Sequence, residues 1–155
     1  MKHLTIKKSI IFCCAFMGFF LVDWLTKYYL FNHPEKDYGL IGFRSFPHYN
    51  TTVFAFLGVK IPIWSRHLIN FSILFLFLVA YIFLIKKKTL FTTISLAILF
   101  SGIMGNSLDV LFTNGNYVRD IIFIPWLDYG TFNFADIFAV IGAMLFATSI
   151  IMSQI

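Results

Sequence analysis

The sequence predicts an all-α membrane protein, four transmembrane helices carrying a small extracytoplasmic β-rich loop region. Two observations predict it. Of the 155 residues, 59% are hydrophobic and only 12% are charged, against about 25% charged in average soluble domains. The apolar residues also gather into stretches near the ~20 residues a helix needs to cross a bilayer. Backbone N–H and C=O groups find no outside partners in lipid, so such stretches are helical. The length suits one compact bundle, and residues 1–155 read as a single membrane domain.

The first span, about 9–31, follows a basic start at Lys2, Lys7 and Lys8. This N-terminus resembles a signal peptide. No small-x-small cleavage pattern follows, however, and the apolar run continues to Leu30, which predicts a retained span. Cys13 and Cys14 are adjacent, and no other cysteine exists to form a disulfide or metal framework; they read as small apolar fillers. The outer loop after this span holds aromatics, β-branched residues and turn punctuation (His33-Pro34, Gly39, Gly42, Pro47, Gly58), which predicts short strands within Phe43–Lys60.

The second span, about 68–85, ends at Lys86, Lys87 and Lys88, and the third, about 90–112, begins just beyond. A second outer loop leads to the fourth span, about 134–152. Bases are dense at the N-terminus and in the triple-lysine turn. In the two long loops they are thin: Lys36, Arg44, Lys60, Arg66 and Arg119. That asymmetry predicts cytoplasmic termini and a cytoplasmic triple-lysine turn. The net charge of +5 is then a matter of topology, and no nucleic-acid partner is expected.

The spans contain polar residues that lipid does not tolerate without a reason. Asp23 and Lys27 lie four apart on one helix face, acid before base, the favourable order. Each alone costs about 2.5–3.5 kcal/mol at mid-span, less where a side chain snorkels to the outer interface. The pair reads as a helix anchor or as the holder of another polar group or a substrate headgroup. Asn106 and Asp109 share a face of the third span, beside Gly102 and Gly105, whose small size permits close helix approach. No base lies within a turn of Asp109 in the sequence. Asn133 can cap the fourth helix, and Asp136 then falls in its first turn, where the helix dipole favours an anion. Asp120 sits between Arg119 and the apolar run Ile121, Ile122, Phe123, which reads as an interfacial site or a surface charge; Asp128 reads as a plain surface acid.

By this topology Asp120 and Asp136 share the outer membrane face. Two carboxylates brought together at a half-buried site share a proton, because both cannot ionise easily. Such a pair suits peptide hydrolysis: one acid takes a proton from water, the other polarises the carbonyl. No metal or other cofactor is expected, since His3, His33, His48 and His67 lack ligand spacing, and no serine or cysteine sits in a nucleophile motif. The competing reading is a proton-coupled carrier. It requires a polar stripe through the whole membrane, whereas the second span offers little beyond Asn70, Ser72 and Tyr81.

Four motifs, in order, resemble those of the lipoprotein signal peptidases (signal peptidase II). "DWLTK" (Asp23–Lys27) matches the Asp and Lys of that family's first span. "GNSLD" (Gly105–Asp109) matches most of its GNxxDR motif. "YVRDII" (Tyr117–Ile122) resembles the segment with one catalytic aspartate, and "FNFAD" (Phe132–Asp136) the FNxAD-type motif with the other. The resemblance implies that Asp120 and Asp136 form the catalytic pair, with Asp23, Lys27, Asn106, Asp109 and Asn133 surrounding and supporting it. Asn50 aligns with the asparagine of a first-loop Asn-x-Gly-Ala motif. The resemblance further implies a prolipoprotein substrate whose lipobox cysteine carries a diacylglyceryl group. Cleavage would fall just before that cysteine, at the outer surface of the bacterial inner membrane, with a β-cradle in the first outer loop. Membrane lipids and the substrate are the expected partners, and a monomer the expected state. Two departures stand out: Val110 replaces the GNxxDR arginine, and Thr52 replaces the first-loop glycine. They leave open a divergent active enzyme, an altered substrate preference, or a weakly active paralogue that binds lipidated peptides.

Overall fold

The computed structural model describes residues 2–33, 35–48, 52–54, 59–60, 63–83, 89–114, 117–126 and 130–154. Helix α1 covers Lys2–Phe31. The segment that follows forms strands β1 (Lys36–Asp37), β2 (Gly42–His48), β3 (Thr52–Phe54) and β4 (Val59–Lys60). Helices α2 (Ile63–Phe83) and α3 (Leu90–Phe112), strand β5 (Val118–Phe123) and helix α4 (Phe134–Gln154) complete the order. The triple-lysine turn, Asn50 and Asp128 lie outside the described residues.

Within the described residues, all four predicted apolar stretches are helical. Among the described residues, three helices are long and apolar enough to cross a membrane: Ile6–Phe31 of α1, Leu90–Phe112 and Phe134–Ser153; in α2 the described apolar stretch is shorter, Phe71–Ala80. Along α1, the half-buried rings of Phe12, Phe16, Phe20 and Trp24 form a stacked ladder one helical turn apart, and Phe12 also meets Phe100 of α3 edge-on. Cys13 and Cys14 are exposed on this helix rather than filling gaps inside the bundle. The filler expectation fails because the bundle covers little of α1; its surface is mostly left for other apolar surroundings.

Helix α3 is the most enclosed of the three long helices and packs against both α1 and α4. Its contact with α4 is a backbone contact. A Cβ added at Gly102 would sit 2.4 Å from the Ala135 carbonyl oxygen, and one added at Gly142 would sit 2.4 Å from Leu99 N. The predicted packing role of Gly102 therefore holds, and Gly142 makes the reciprocal approach from α4. Below these contacts Leu96, Leu99 and Phe146 form the buried apolar core, with Phe77 of α2 edge-on to Phe146.

The strands form two small antiparallel sheets, one ordered β1-β2-β5 and the other β3-β4. The strands predicted within Phe43–Lys60 are present as β2, β3 and β4. A tight connection joins β1 to β2: Asp37 Oδ1 accepts from Gly39 N (2.7 Å), and Gly39 has φ +81°, a conformation natural to glycine. The Ser45 hydroxyl donates to the Phe31 carbonyl, tying β2 to the end of α1. The sheet differs from expectation in its third strand, because β5 comes from the segment between α3 and α4 and pairs with β2, placing Phe46 opposite Asp120 and His48 opposite Val118. The adjacent charges Arg119 and Asp120 interrupt the apolar pattern that would have marked a strand. Val118, Ile121 and Ile122 are nonetheless buried, and since neighbouring strand residues point to opposite faces, β5 is covered on both sides.

Candidate active site

Two backbone devices bring β5 onto the helix ends. At the end of α3, Thr113 N donates to the Asp109 carbonyl (2.9 Å), and the Thr113 hydroxyl accepts from Tyr117 N (3.0 Å). These two bonds tie the start of β5 to the end of α3. Beyond β5 the chain folds back: the Phe132 carbonyl accepts from Ile121 N (3.1 Å) and Ile122 N (2.9 Å), and Phe132 N donates to the Ile122 carbonyl (3.0 Å). That bridge sets the start of α4 beside Asp120.

Asn133 is the N-cap of α4, as its position predicts. Its Oδ1 accepts from Asp136 N (3.1 Å), while Asp136 Oδ2 accepts from Asn133 N (3.0 Å). This is a reciprocal capping box built from Asn and Asp, and it satisfies two N–H groups that the helix leaves unpaired. The Asn133 side chain also reaches outside its helix, because Nδ2 donates to Asp120 Oδ1 (2.9 Å) and to Asn106 Oδ1 (3.1 Å). Asn106 Nδ2 in turn donates to Asp136 Oδ1 (2.7 Å). The amide orientations are mutually determined. Lys27 has only donors, so the Asn106 oxygen must face it and the Asn106 nitrogen must face the carboxylate.

Lys27 lies at the centre of the assembly. Its Nζ is 2.8 Å from Asp23 Oδ2, 3.0 Å from Asp109 Oδ2 and 3.0 Å from Asn106 Oδ1. Asp23, Lys27 and Asp109 are all 0% exposed, so the expected snorkelling of the first-span pair does not occur. The pair is instead enclosed by α3 and α4. Asp23 Oδ1 accepts from Ala135 N (2.8 Å), so a first-span carboxylate occupies the N-terminus of α4, a favourable place for an anion. Gly105 makes room for it, since a Cβ there would lie 2.5 Å from Asp23 Oδ2.

Asp109 has a second cationic partner that local spacing did not reveal. Arg119 Nε donates to Asp109 Oδ1 (3.0 Å), Arg119 Nη2 to the same oxygen (2.6 Å), and Arg119 N to Oδ2 (3.1 Å). The guanidinium also lies over the Trp24 ring, 4.9 Å from its centroid. The arginine absent at position 110 is thus met by one from β5, while Val110 is buried at 1% exposure. Asp109, ten residues upstream in the chain, had no visible reason to expect it.

Asp120 is buried, at 5% exposure, and not a surface charge. Thr131, which the sequence did not single out, donates from its hydroxyl to Asp120 Oδ2 (3.3 Å). Burial, and then the charge of Asp136, push the Asp120 carboxyl up to about 7; Asn133, Thr131 and Lys27 act in the opposite direction. The formal charges of Asp23, Lys27, Asp109 and Arg119 cancel. That network holds no surplus positive charge to keep two further acids ionised together. Among the described residues, no group of three or more His, Cys, Asp or Glu side chains converges as a metal site would require.

Seven of the eight residues expected at the site are described, and all seven are linked by the contacts above. A profile described as Signal peptidase (SPase) II matches residues 15–152 of the chain. Proteins named lipoprotein signal peptidase are similar over most of their length. That of Chlamydia felis is 34% identical over 146 residues, covering 83% of this chain and 84% of that protein. That of Borrelia garinii subsp. bavariensis is 33% identical over 138 residues, covering 80% and 79%. A solved structure described as a bacterial membrane enzyme, determined in meso at 1.9 Å, has the same fold, with a TM-score of 0.73 at 21% identity over 89% of this chain and 90% of that one.

Proposed function

The chain belongs to the signal peptidase II family, membrane peptidases that remove signal peptides from prolipoproteins, and we propose that Asp120 and Asp136 carry out the cleavage as an aspartic pair. The observation that carries this reading is the position of Asn133, which donates to Asp120 through its side chain and to Asp136 through its backbone (2.9 and 3.0 Å). One residue thereby couples two acids from separate segments.

In the proposed reaction Asp120 starts protonated and Asp136 acts as the base. Both Asp136 oxygens accept from N–H donors, which fixes the carboxyl plane. A water between the acids gives a proton to Asp136 as its oxygen attacks the scissile carbonyl carbon. Asp120 donates to the carbonyl oxygen, which becomes the hydroxyl of a tetrahedral diol. Collapse then breaks the C–N bond, with a proton passing from Asp136 to the leaving amine and one returning from the diol to Asp120. Lys27, Asp23, Asn106, Asp109 and Asn133 hold the acids in place without entering the chemistry.

The proposed substrate is a precursor carrying a diacylglyceryl group on its lipobox cysteine, cut just before that residue. Exposed apolar side chains on the long helices, among them Leu25, Val140, Ile141 and Met144, suit a signal helix arriving sideways from the bilayer. In this reading α2 also crosses the membrane, both termini are cytoplasmic, and the monomer works at the outer face of the inner membrane. Asn50 is proposed to contact the substrate from the first outer loop.

The test is purified protein incubated with a diacylglyceryl-modified precursor peptide. Asp120→Asn and Asp136→Asn are each expected to abolish release of the signal peptide, by at least ~1,000-fold, with unfolding temperatures near that of the parent. Full processing by either variant removes the mechanism.

A further inference from the structure

We infer that Arg119 is a positioning residue for Asp120, an arm that fixes β5 to the same buried ammonium from which Asp136 is also held. This inference rests on the proposed role of Asp120. Residue 119 grips Asp109 at three atoms, two from the guanidinium and one from the backbone N–H. Holding both ends of a residue fixes its peptide plane as well as its side chain. Successive side chains of a strand point to opposite faces, so a clamp that turns Arg119 towards Asp109 turns Asp120 away from it, towards Asn133.

The geometry on the other side of the clamp extends this role. Asp109 Oδ2 lies 3.0 Å from Lys27 Nζ, and the same ammonium is 3.0 Å from Asn106 Oδ1. Asn106 then holds Asp136 at 2.7 Å. Two short arms therefore leave Lys27, one through Asn106 to Asp136, the other through Asp109 and Arg119 to Asp120. Their common origin lies on α1, whereas the acids sit on β5 and α4. The second arm depends on a planar, forked donor, since Nε and Nη2 meet one carboxylate oxygen while the ring of Trp24 supports the guanidinium face. Lysine can supply the charge but not the fork or the flat face.

The experiment measures kcat and KM with a diacylglyceryl-modified precursor peptide, together with thermal unfolding of the full chain in detergent. Misplacing a reacting group by about 1 Å costs ~100-fold in rate. Arg119→Met is expected to lower kcat by that order with KM changed less than ~3-fold, and Arg119→Lys to recover part of the loss. Arg119→Lys also carries the test should the methionine variant fail to fold. Asp109→Asn, combined with Arg119→Lys, is expected to be no slower than the worse single variant, because both break one arm. A folded Arg119→Met or Arg119→Lys protein with parental kcat overturns the inference, as does a double variant whose losses multiply. Should Asp120→Asn itself retain activity, the catalytic reading fails instead, and the two failures are distinct.

Discussion

Both ends of the α3–α4 interface contain polar side chains, but their hydrogen bonds go to different places. From the start of α3 to its middle, Thr93, Ser95 and Ser101 donate to carbonyls three or four residues back in the chain, at 3.0, 2.7 and 2.7 Å. Ser149 and Ser153 do the same on α4, at 2.7 and 2.8 Å. At the other end Asp23, Lys27, Asn106, Asp109 and Asn133 bond across elements, and every one of them reaches a residue on a different helix or strand. A hydroxyl satisfied by its own helix allows close packing and asks nothing of its neighbours. An ammonium or carboxylate in the same setting needs partners from elsewhere and so fixes how elements meet. Polar content alone does not locate a membrane site, whereas the destination of the hydrogen bonds does.

Lys27→Met offers the largest contrast. Removing one member of a buried ion pair strands the other, which costs about 3–5 kcal/mol, and here two carboxylates lose their shared cation. Ser101→Ala and Ser149→Ala remove bonds that only supplement the helix ladder, and alanine favours the helix, so each is expected within about 0.5 kcal/mol of the parent. Chemical denaturation in detergent compares them directly. Equal costs at the two ends would break the distinction drawn above.

A pH profile sharpens the contrast on the chemical side. The proposed reaction needs Asp120 protonated, and burial plus the neighbouring Asp136 charge push that carboxyl up to about 7. Below that pH the proton is present; above it the proton is lost and a second negative charge appears beside Asp136. The value of kcat/KM for a diacylglyceryl-modified peptide is therefore expected to fall as pH rises through about 7. A flat profile between pH 6 and 9 would falsify the assignment of the proton to Asp120.

The helices and most residues of the candidate site were legible in the sequence, but not the contacts that join them. Hydropathy marks long helices because a span has to satisfy its backbone internally, and α3 begins and ends where that pattern does, at Leu90 and Phe112. Asn133 and Asp136 were legible because a capping box is local, with both partners three residues apart. Arg119 and Thr131 were not. Their partners, Asp109 and Asp120, lie ten and eleven residues away in the chain, and contact depends on β5 being a strand. That strand was hidden because its two charged residues face buried partners, so the usual alternation of apolar and polar positions is absent. Snorkelling of Asp23 and Lys27 was a sound expectation for an isolated helix and failed only because α3 and α4 cover that face.

Thr131→Val tests the smallest of these effects. The Thr131 hydroxyl donates to Asp120 Oδ2 at 3.3 Å, a long bond, and valine keeps the branched shape next to the Phe132 bridge. A donor to the carboxylate favours the ionised form, so its removal raises the Asp120 pKa and the alkaline limb moves to higher pH. Below the limb, where Asp120 already holds its proton, the rate is expected within ~3-fold of the parent, since the deleted bond is not one the mechanism needs. Above the limb the variant retains more of its maximal rate than the parent does. Ser149→Ala, at the opposite end of the same interface, removes a bond of 2.7 Å and is expected to leave the limb unmoved. A shorter bond with no effect on the profile, set against a longer one that shifts it, isolates contact with Asp120 as the cause. A Thr131→Val limb displaced to lower pH would mean that the hydroxyl serves the protonated acid rather than its anion.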